Sequence, residues 1–340
     1  MEENREEQKR LAAPAPEGIR LEPPIGRATR AFLLLLVLCA VAVAVFAGFW
    51  IVSSRDRDGA AGEDAASETV TEDCTEAPKP QAPQLPTDAI PILAADLSGD
   101  GVRNETAYTI DPSTLRALVQ IPTRRFSEDE PIVLILHTHA QEAYRQDDLP
   151  YIAGTLGDAI YSDDTSQSVV SAGEAMRREL VRCGIPTIHC TALHGESGSL
   201  RASYRSTADC IRAYLERYPS IEYVIDLQRD VLLSEDGACL RTAAPSGAAQ
   251  IMAVVGSDGG GDACPAWREN LGLALCLTDR LETEIPGSCR QTLLVNSTCN
   301  QDLALRSLLL KLGSAGNTAD EAVEAAARVG RALAVLIAGE

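Results

Sequence analysis

Positive charge is in short supply in this sequence: 30 Lys and Arg stand against 49 Asp and Glu over 340 residues, for a formal net charge of -19. Affinity for a phosphate backbone rests on clustered Lys and Arg, and this chain does not cluster them, which argues against a nucleic-acid partner. The 10 cysteines contain no C-x-x-C pair, so nothing suggests a zinc knuckle or a dithiol redox motif. Gly259 to Gly261 lack the lysine and spacing of a phosphate loop and read as a flexible turn. Apolar residues are not scarce. At 45% hydrophobic the chain can bury one good-sized core without help from disulfides.

The N-terminal part is read by composition. Residues 1–30 are mixed in charge, contain proline and show no apolar period, as a disordered tail does. Residues 31–52 run without a charge, long enough to cross a bilayer of roughly 30 Å as a helix. The apolar core of a secretory signal is only about 7 to 15 residues, so this segment reads as an uncleaved anchor. Arg20, Arg27 and Arg30 precede it, while Arg55 and Arg57 follow among aspartates. That bias predicts a cytoplasmic tail and a single-pass protein of the cell membrane with its C-terminal domain outside the cytoplasm. Residues 53–100 are acidic and rich in Ala, Pro, Thr and Ser, which predicts a disordered linker, and residues 101–340 form the exported domain.

Within that domain the stretch PIVLILHTHAQEAY, residues 131–144, stands out. Five aliphatic residues in a row read as a buried strand, and the strand hands over to His137, His139 and Glu142. Helical and strand patterns then alternate. Apolar residues at helical spacing from Val169 to Leu180 end at Gly184, a candidate C-cap, and a strand follows at about 185–191. A second stripe, Tyr204 to Leu215, precedes a strand at about 221–227. Further strands are read at about 249–255, 293–295 and 308–312, with helices at about 267–284 and 318–337. Such alternation predicts an α/β fold, a mostly parallel sheet with helices on both faces. Ligands in such sheets bind beyond the carboxyl ends of the strands. Those ends carry His137, His139 and Glu142 after the first strand, Gln228, Arg229 and Asp230 after the third, and Lys311 near the end of the last, with Gly259 to Gly261 beyond the fourth.

Metal-assisted hydrolysis of an amide needs two or three His or carboxylate ligands, an open position for water, and a carboxylate to move the proton. His137 and His139 share a face if the strand continues through them; if the chain turns at Thr138, one of them lies behind the other. Glu142 can reach the same point as His139, and an empty pair of strand-end histidines stays equally open. Lys311 sits among Leu308, Leu309, Leu310 and Leu312 and is costly to bury without a carboxylate. Its ammonium either takes the space of a metal cation and pairs with Glu142 or Asp230, or extends from the strand end into water. His189 and His194 read as structural. A disulfide such as Cys183 with Cys190 fits an oxidising compartment, and a rebuilt centre of His with Cys264 and Cys299 is a further option.

The stretches VRNETAYTID, LILHTHAQEAY, YPSIEYVIDLQRD, AQIMAVVGSD, WRENLGLAL and LGSAGNT together resemble the stage II sporulation protein P family. The resemblance runs from about residue 102 to 338, together with the anchor. It implies the fold of zinc-dependent N-acetylmuramoyl-L-alanine amidases, membrane-anchored enzymes that strip stem peptides from peptidoglycan during forespore engulfment. Stage II sporulation proteins D and M are the partners it implies. It also implies metal ligands at His139, Glu142 and His137 and substrate contacts at Arg229, Asp230, Arg268 and Asn300. Departures cluster at one place. Gln228 stands where the family pattern has His, Asp302 stands in the family's Asn-Gln-His stretch, Lys311 replaces the acid of the last strand, and Cys264 replaces a further His.

Two readings from different classes follow. In the preferred one the zinc site is degenerate, zinc is weak or absent, and the protein binds peptidoglycan or the engulfment partners. In the other it is an active zinc amidase.

Overall fold

The structure is a computed structural model, and it describes residues 89–119, 126–127, 130–146, 151–152, 160–194 and 200–339. The predicted tail and membrane span lie outside the described residues, as does the linker up to residue 88. Among the described residues no helix is long and apolar enough to cross a membrane.

Eleven strands and five helices are described: β1 (Ala89–Ile90), β2 (Ile92–Ala95), β3 (Val102–Asn104), α1 (Pro112–Ala117), β4 (Val133–Leu136), β5 (Tyr151–Ile152), α2 (Val169–Arg182), β6 (Thr187–His189), α3 (Leu200–Arg217), β7 (Tyr223–Asp230), β8 (Cys239–Thr242), β9 (Ile251–Gly256), α4 (Trp267–Glu284), β10 (Thr292–Val295), β11 (Arg306–Ser314) and α5 (Ala319–Ala338). The main sheet has seven strands in the order β3-β10-β9-β11-β7-β4-β6. Every neighbouring pair is parallel except β9 with β11. The sheet is therefore two parallel blocks joined back to back. Strands β11, β7, β4 and β6 end on one side of it, and β9 and β10 end on the other.

This topology corrects the sequence reading of where strand ends meet. Those of β4, β7 and β11 lie side by side, as expected, whereas Gly259 to Gly261 beyond β9 fall at the opposite end of the sheet. The linker expected up to residue 100 also ends sooner, because β1 pairs with β5 and β2 pairs with β8. Residues 102–104 add a parallel edge strand beside β10.

Alternation along each strand sorts the core into two layers. Val133, Ile135, Ile225, Leu227, Leu308, Leu310 and Leu312 face one way and pack with Met176, Leu273 and Leu333 of α2, α4 and α5. Leu134, Leu136 and Val224 face the other way against Ile211, Tyr214 and Leu215 of α3. Helices thus cover both faces. Burying each such leucine contributes roughly 1.5 to 3 kcal/mol, enough to fix the register that positions the polar residues between them.

The helix ends follow local chemistry. Ser168 caps α2 by accepting from the Val170 N–H, and Gly184 ends that helix in the left-handed region at φ 79°. Thr318 and Glu321 form a reciprocal capping box at the start of α5.

Candidate functional site

The site begins with a row of three acidic or amide side chains on β7. Asp226, Gln228 and Asp230 alternate with Leu227 and Arg229, so period-two geometry places all three on the α3 side of the sheet. Strand β7 continues through Asp230, so Gln228 lies within the strand rather than beyond it. Lys311 stands in parallel register with Gln228 on the adjacent β11, on the same face. Immediately after Lys311 the register shifts, with Ser314 opposite Asp230. One extra residue is accommodated there by Gly313 at φ 67°, where a Cβ would meet Asn317 Oδ1 at 2.6 Å. Ahead of that bulge, the Lys311 ammonium reaches Asp230 and forms an ion pair with it.

Asp230 is held by two cations. Arg290 Nη1 donates to it at 2.7 Å from the other side. Burial works against the Asp230 charge, but Lys311 and then Arg290 outweigh it and keep the carboxyl below its usual range. Asp226 is buried and occupied: it accepts from the Thr138 N–H at 2.9 Å, from the Thr138 hydroxyl at 2.7 Å and from Gln228 Nε2 at 2.8 Å. Burial nonetheless raises its pKa.

His137 and His139 separate. Strand β4 ends at Leu136 and the chain turns, so the two imidazoles do not share a face. His137 is fully buried, its Nδ1 3.0 Å from the Leu227 carbonyl and its Nε2 2.8 Å from Nε2 of His189. The carbonyl can only accept, so the proton of neutral His137 sits on Nδ1 and its Nε2 accepts from His189. Burial, reinforced by His189, pushes the His137 pKa down to about 3. This imidazole belongs to the α2 face, away from Lys311.

His139 lies on the α3 side, edge-on to Tyr204 with ring centroids 5.8 Å apart. Burial first, then the charges of Lys311 and Arg229, hold its pKa below the ordinary value. Glu142 is half-buried and accepts the Arg229 backbone N–H at 2.9 Å. Burial pushes its pKa up to about 7, although Arg229 and Lys311 pull the other way. His139, Glu142, Gln228, Tyr204 and Lys311 therefore share one electrostatic neighbourhood: a neutral imidazole, a carboxyl that ionises near neutrality, an amide, a phenol and an ammonium.

The residues expected to contact substrate are placed differently. Arg229 is buried, with Nε donating to the Ala143 carbonyl at 2.6 Å and Nη2 to the Ile160 carbonyl, so its guanidinium fastens the segment that carries Glu142. Arg268 lies over the Trp267 ring, 4.1 Å from its centroid, beside Tyr108, whose hydroxyl donates to Asp258 beyond β9. That group is at the opposite end of the sheet. Asn300 adopts a left-handed conformation at φ 59° and donates from Nδ2 to the Tyr204 carbonyl at 2.8 Å, tying its loop to α3. Asp302 is exposed. Cys264 is buried with its sulfur 4.0 Å from the Gly256 carbonyl, and Cys183 is a free, exposed thiol, while Cys190, its expected disulfide partner, is buried with its sulfur 3.6 Å from that of Cys210.

Asp226, Tyr204 and Arg290 were not singled out from sequence. The signal for Asp226 was present in IEYVIDLQRD, where Asp226, Gln228 and Asp230 recur at period two along a strand that begins apolar. Arg290 lies 60 residues from Asp230 in the chain, and no local pattern links them.

The chain belongs to the stage II sporulation protein P family: the model of that family, Stage II sporulation protein P (SpoIIP), matches residues 55–334. No curated protein matches the chain. Among solved structures it is similar to the CwlD amidase from Clostridioides difficile, in complex with the GerS lipoprotein, at 10% identity over 62% of this chain and 100% of that one, with a TM-score of 0.38. It is similar also to the N-acetylmuramyl-L-alanine amidase Ami1 from Mycobacterium smegmatis, at 13% identity over 62% of this chain and 99% of that one, with a TM-score of 0.37. The catalytic domain of CwlV, an N-acetylmuramoyl-L-alanine amidase from Bacillus (Paenibacillus) polymyxa var. colistinus, shows 11% identity over 62% of this chain and 97% of that one, with a TM-score of 0.35. Likeness at this level carries no statement about activity.

Proposed function

We propose that this chain is a cell-wall protein of forespore engulfment whose amidase-type metal site is degenerate, and that it acts by binding peptidoglycan or the engulfment partners. The observation that carries the reading is the Lys311–Asp230 ion pair beside Gln228, in the neighbourhood of His139 and Glu142. A catalytic zinc ion takes three protein donors and keeps one position for water. His139 and Glu142 are of ligand type, but Gln228 directs its amide nitrogen at Asp226, and Asp226 and Asp230 are already engaged. Among the described residues, the one group of three His, Cys, Asp or Glu donors close enough for a single ion lies elsewhere. An ammonium here supplies positive charge without a Lewis-acid site, so the residues do not fit a zinc ion and no hydrolytic step is derived through one.

In this reading residues 1–30 are a cytoplasmic tail, residues 31–52 a membrane anchor and the following acidic segment a tether that holds the folded domain in the wall space. Stage II sporulation proteins D and M are the proposed protein partners. Purified sacculi discriminate this from active amidase chemistry. The expected outcome is retention of the protein on sacculi with no stem peptides released, with or without added zinc. Zinc-dependent release abolished by His139→Ala overturns the reading.

A further inference from the structure

We infer that Cys190, His194 and Cys210 form a binding site for a thiophilic divalent ion of the zinc class, separate from the pocket around His139 and Lys311. Cys190 follows β6 directly and its N–H bonds to the Ile135 carbonyl at 2.8 Å, so the sheet fixes its position. Cys210 comes from the middle of α3, which packs over that part of the sheet. Their sulfurs are 3.6 Å apart, and both are free thiols. Two thiolates on one tetrahedral zinc, each about 2.3 Å from the metal, stand about 3.8 Å apart, so the pair already has the spacing of ligation. An imidazole nitrogen of His194 completes a group whose donor atoms all lie within 4.8 Å of one another.

The second observation is on His194 itself. The residue is 8% exposed, its Nδ1 lies 3.2 Å from the Ser206 hydroxyl, and its Nε2 is buried with no hydrogen-bond partner. With the ring proton on Nδ1 and shared with Ser206, Nε2 carries a free lone pair, the tautomer that binds metals. Two thiolates and one neutral imidazole give a neutral complex with a divalent ion, which removes the cost of burying unpaired charge in this apolar layer.

Such an ion would tie α3 to the sheet's edge strand. Tyr204, which packs against His139, is on the same helix, so the ion would hold in place the helix that contacts His139.

The test uses the full chain, reduced, stripped with a chelator and loaded with cobalt(II) alone. One ion per chain is expected, with an intense near-ultraviolet thiolate-to-cobalt charge-transfer band that stoichiometric zinc abolishes. Cys190→Ser and Cys210→Ser should each remove most of that band and weaken binding at least tenfold, while a His139→Ala, Glu142→Ala variant should retain it. Circular dichroism checks each fold, and Cys210→Ala on the half-buried helix position serves if Cys190→Ser does not fold. Absence of the band, or its survival in both cysteine variants, overturns the site. Because the readout is ligation by sulfur, it stands or falls independently of whether the other pocket is active.

Discussion

Lys311 and Gln228 face each other across parallel strands, and the ammonium extends past the amide to Asp230. The pairing places a fixed positive charge in the neighbourhood of His139 and Glu142, whose pKa values it lowers.

Lys311→Met tests that charge. Lys311 lowers the pKa of both His139 and Glu142, so removing it should raise both. NMR titration of the His139 ring reads the first shift directly. Asp230 keeps Arg290 at 2.7 Å, so the variant should lose only about 1 kcal/mol of stability. An unchanged His139 titration would mean that the ammonium is not near the pocket in solution.

Glu142 makes stability depend on pH in a defined direction. Its folded pKa, about 7, lies above the ordinary value of 4.5, so its contribution is fully present below about pH 4.5 and is lost as pH rises through 7. Glu142→Gln keeps an acceptor for the Arg229 N–H but cannot ionise. The variant and its parent should therefore be similar in stability in acid, and the variant should be the more stable by up to about 3 kcal/mol above neutrality. Urea unfolding at acid and alkaline pH measures the difference; a parent that gains on the variant as pH rises contradicts the dominance of burial.

Gly173 bears on the histidine pair of the opposite face. A Cβ there would stand 2.6 Å from His189 Nε2 and 2.7 Å from His137 Cε1, in a fully packed layer. Helix propensity alone favours Gly173→Ala by about 1 kcal/mol, whereas overpacking costs about 1 to 3 kcal/mol. A net loss in denaturant melts, with disturbed His137 and His189 resonances, is the expected outcome. A net gain would show that the helix can move away from the pair.

Much of the fold was legible because the core is patterned so regularly. The helix at 267–284 coincides with α4, and Thr318 marks the start of α5, because apolar spacing and capping chemistry are local signals. The parallel trio β4, β7 and β11 also followed from buried runs of aliphatic residues. What stayed hidden depended on direction and on distance along the chain. Nothing in IMAVVG shows that β9 runs against β11, and this alone moves the glycine turn and Arg268 away from the site. Arg229 was expected to contact substrate, yet its guanidinium donates to two carbonyls far away in sequence, those of Ala143 and Ile160. Cys190 and Cys210 are 20 residues apart, at no spacing that a motif would flag, and only the packing of α3 brings them together.

Two of the four departures, Gln228 and Lys311, can be reversed together. In a Gln228→His, Lys311→Glu double variant, the imidazole can keep one N–H on Asp226 Oδ2, where the Gln228 amide now donates, and offer its other nitrogen to the pocket beside His139 and Glu142. The carboxylate replaces the ammonium with a group able to accept a proton, and Asp230 remains neutralised by Arg290. A carboxylate on His, holding its tautomer and raising its basicity, is the usual support for a zinc-ligating imidazole. Measured in a Cys190→Ser background, so that sulfur ligation does not contribute, the double variant should bind zinc at least tenfold more tightly than the same background alone, a change of about 1.4 kcal/mol. The gain should vanish on adding His139→Ala. If the double variant binds no more zinc than its background, the pocket differs from a metal site by more than these two residues, and the loss of ligation extends to the backbone that carries His139 and Glu142.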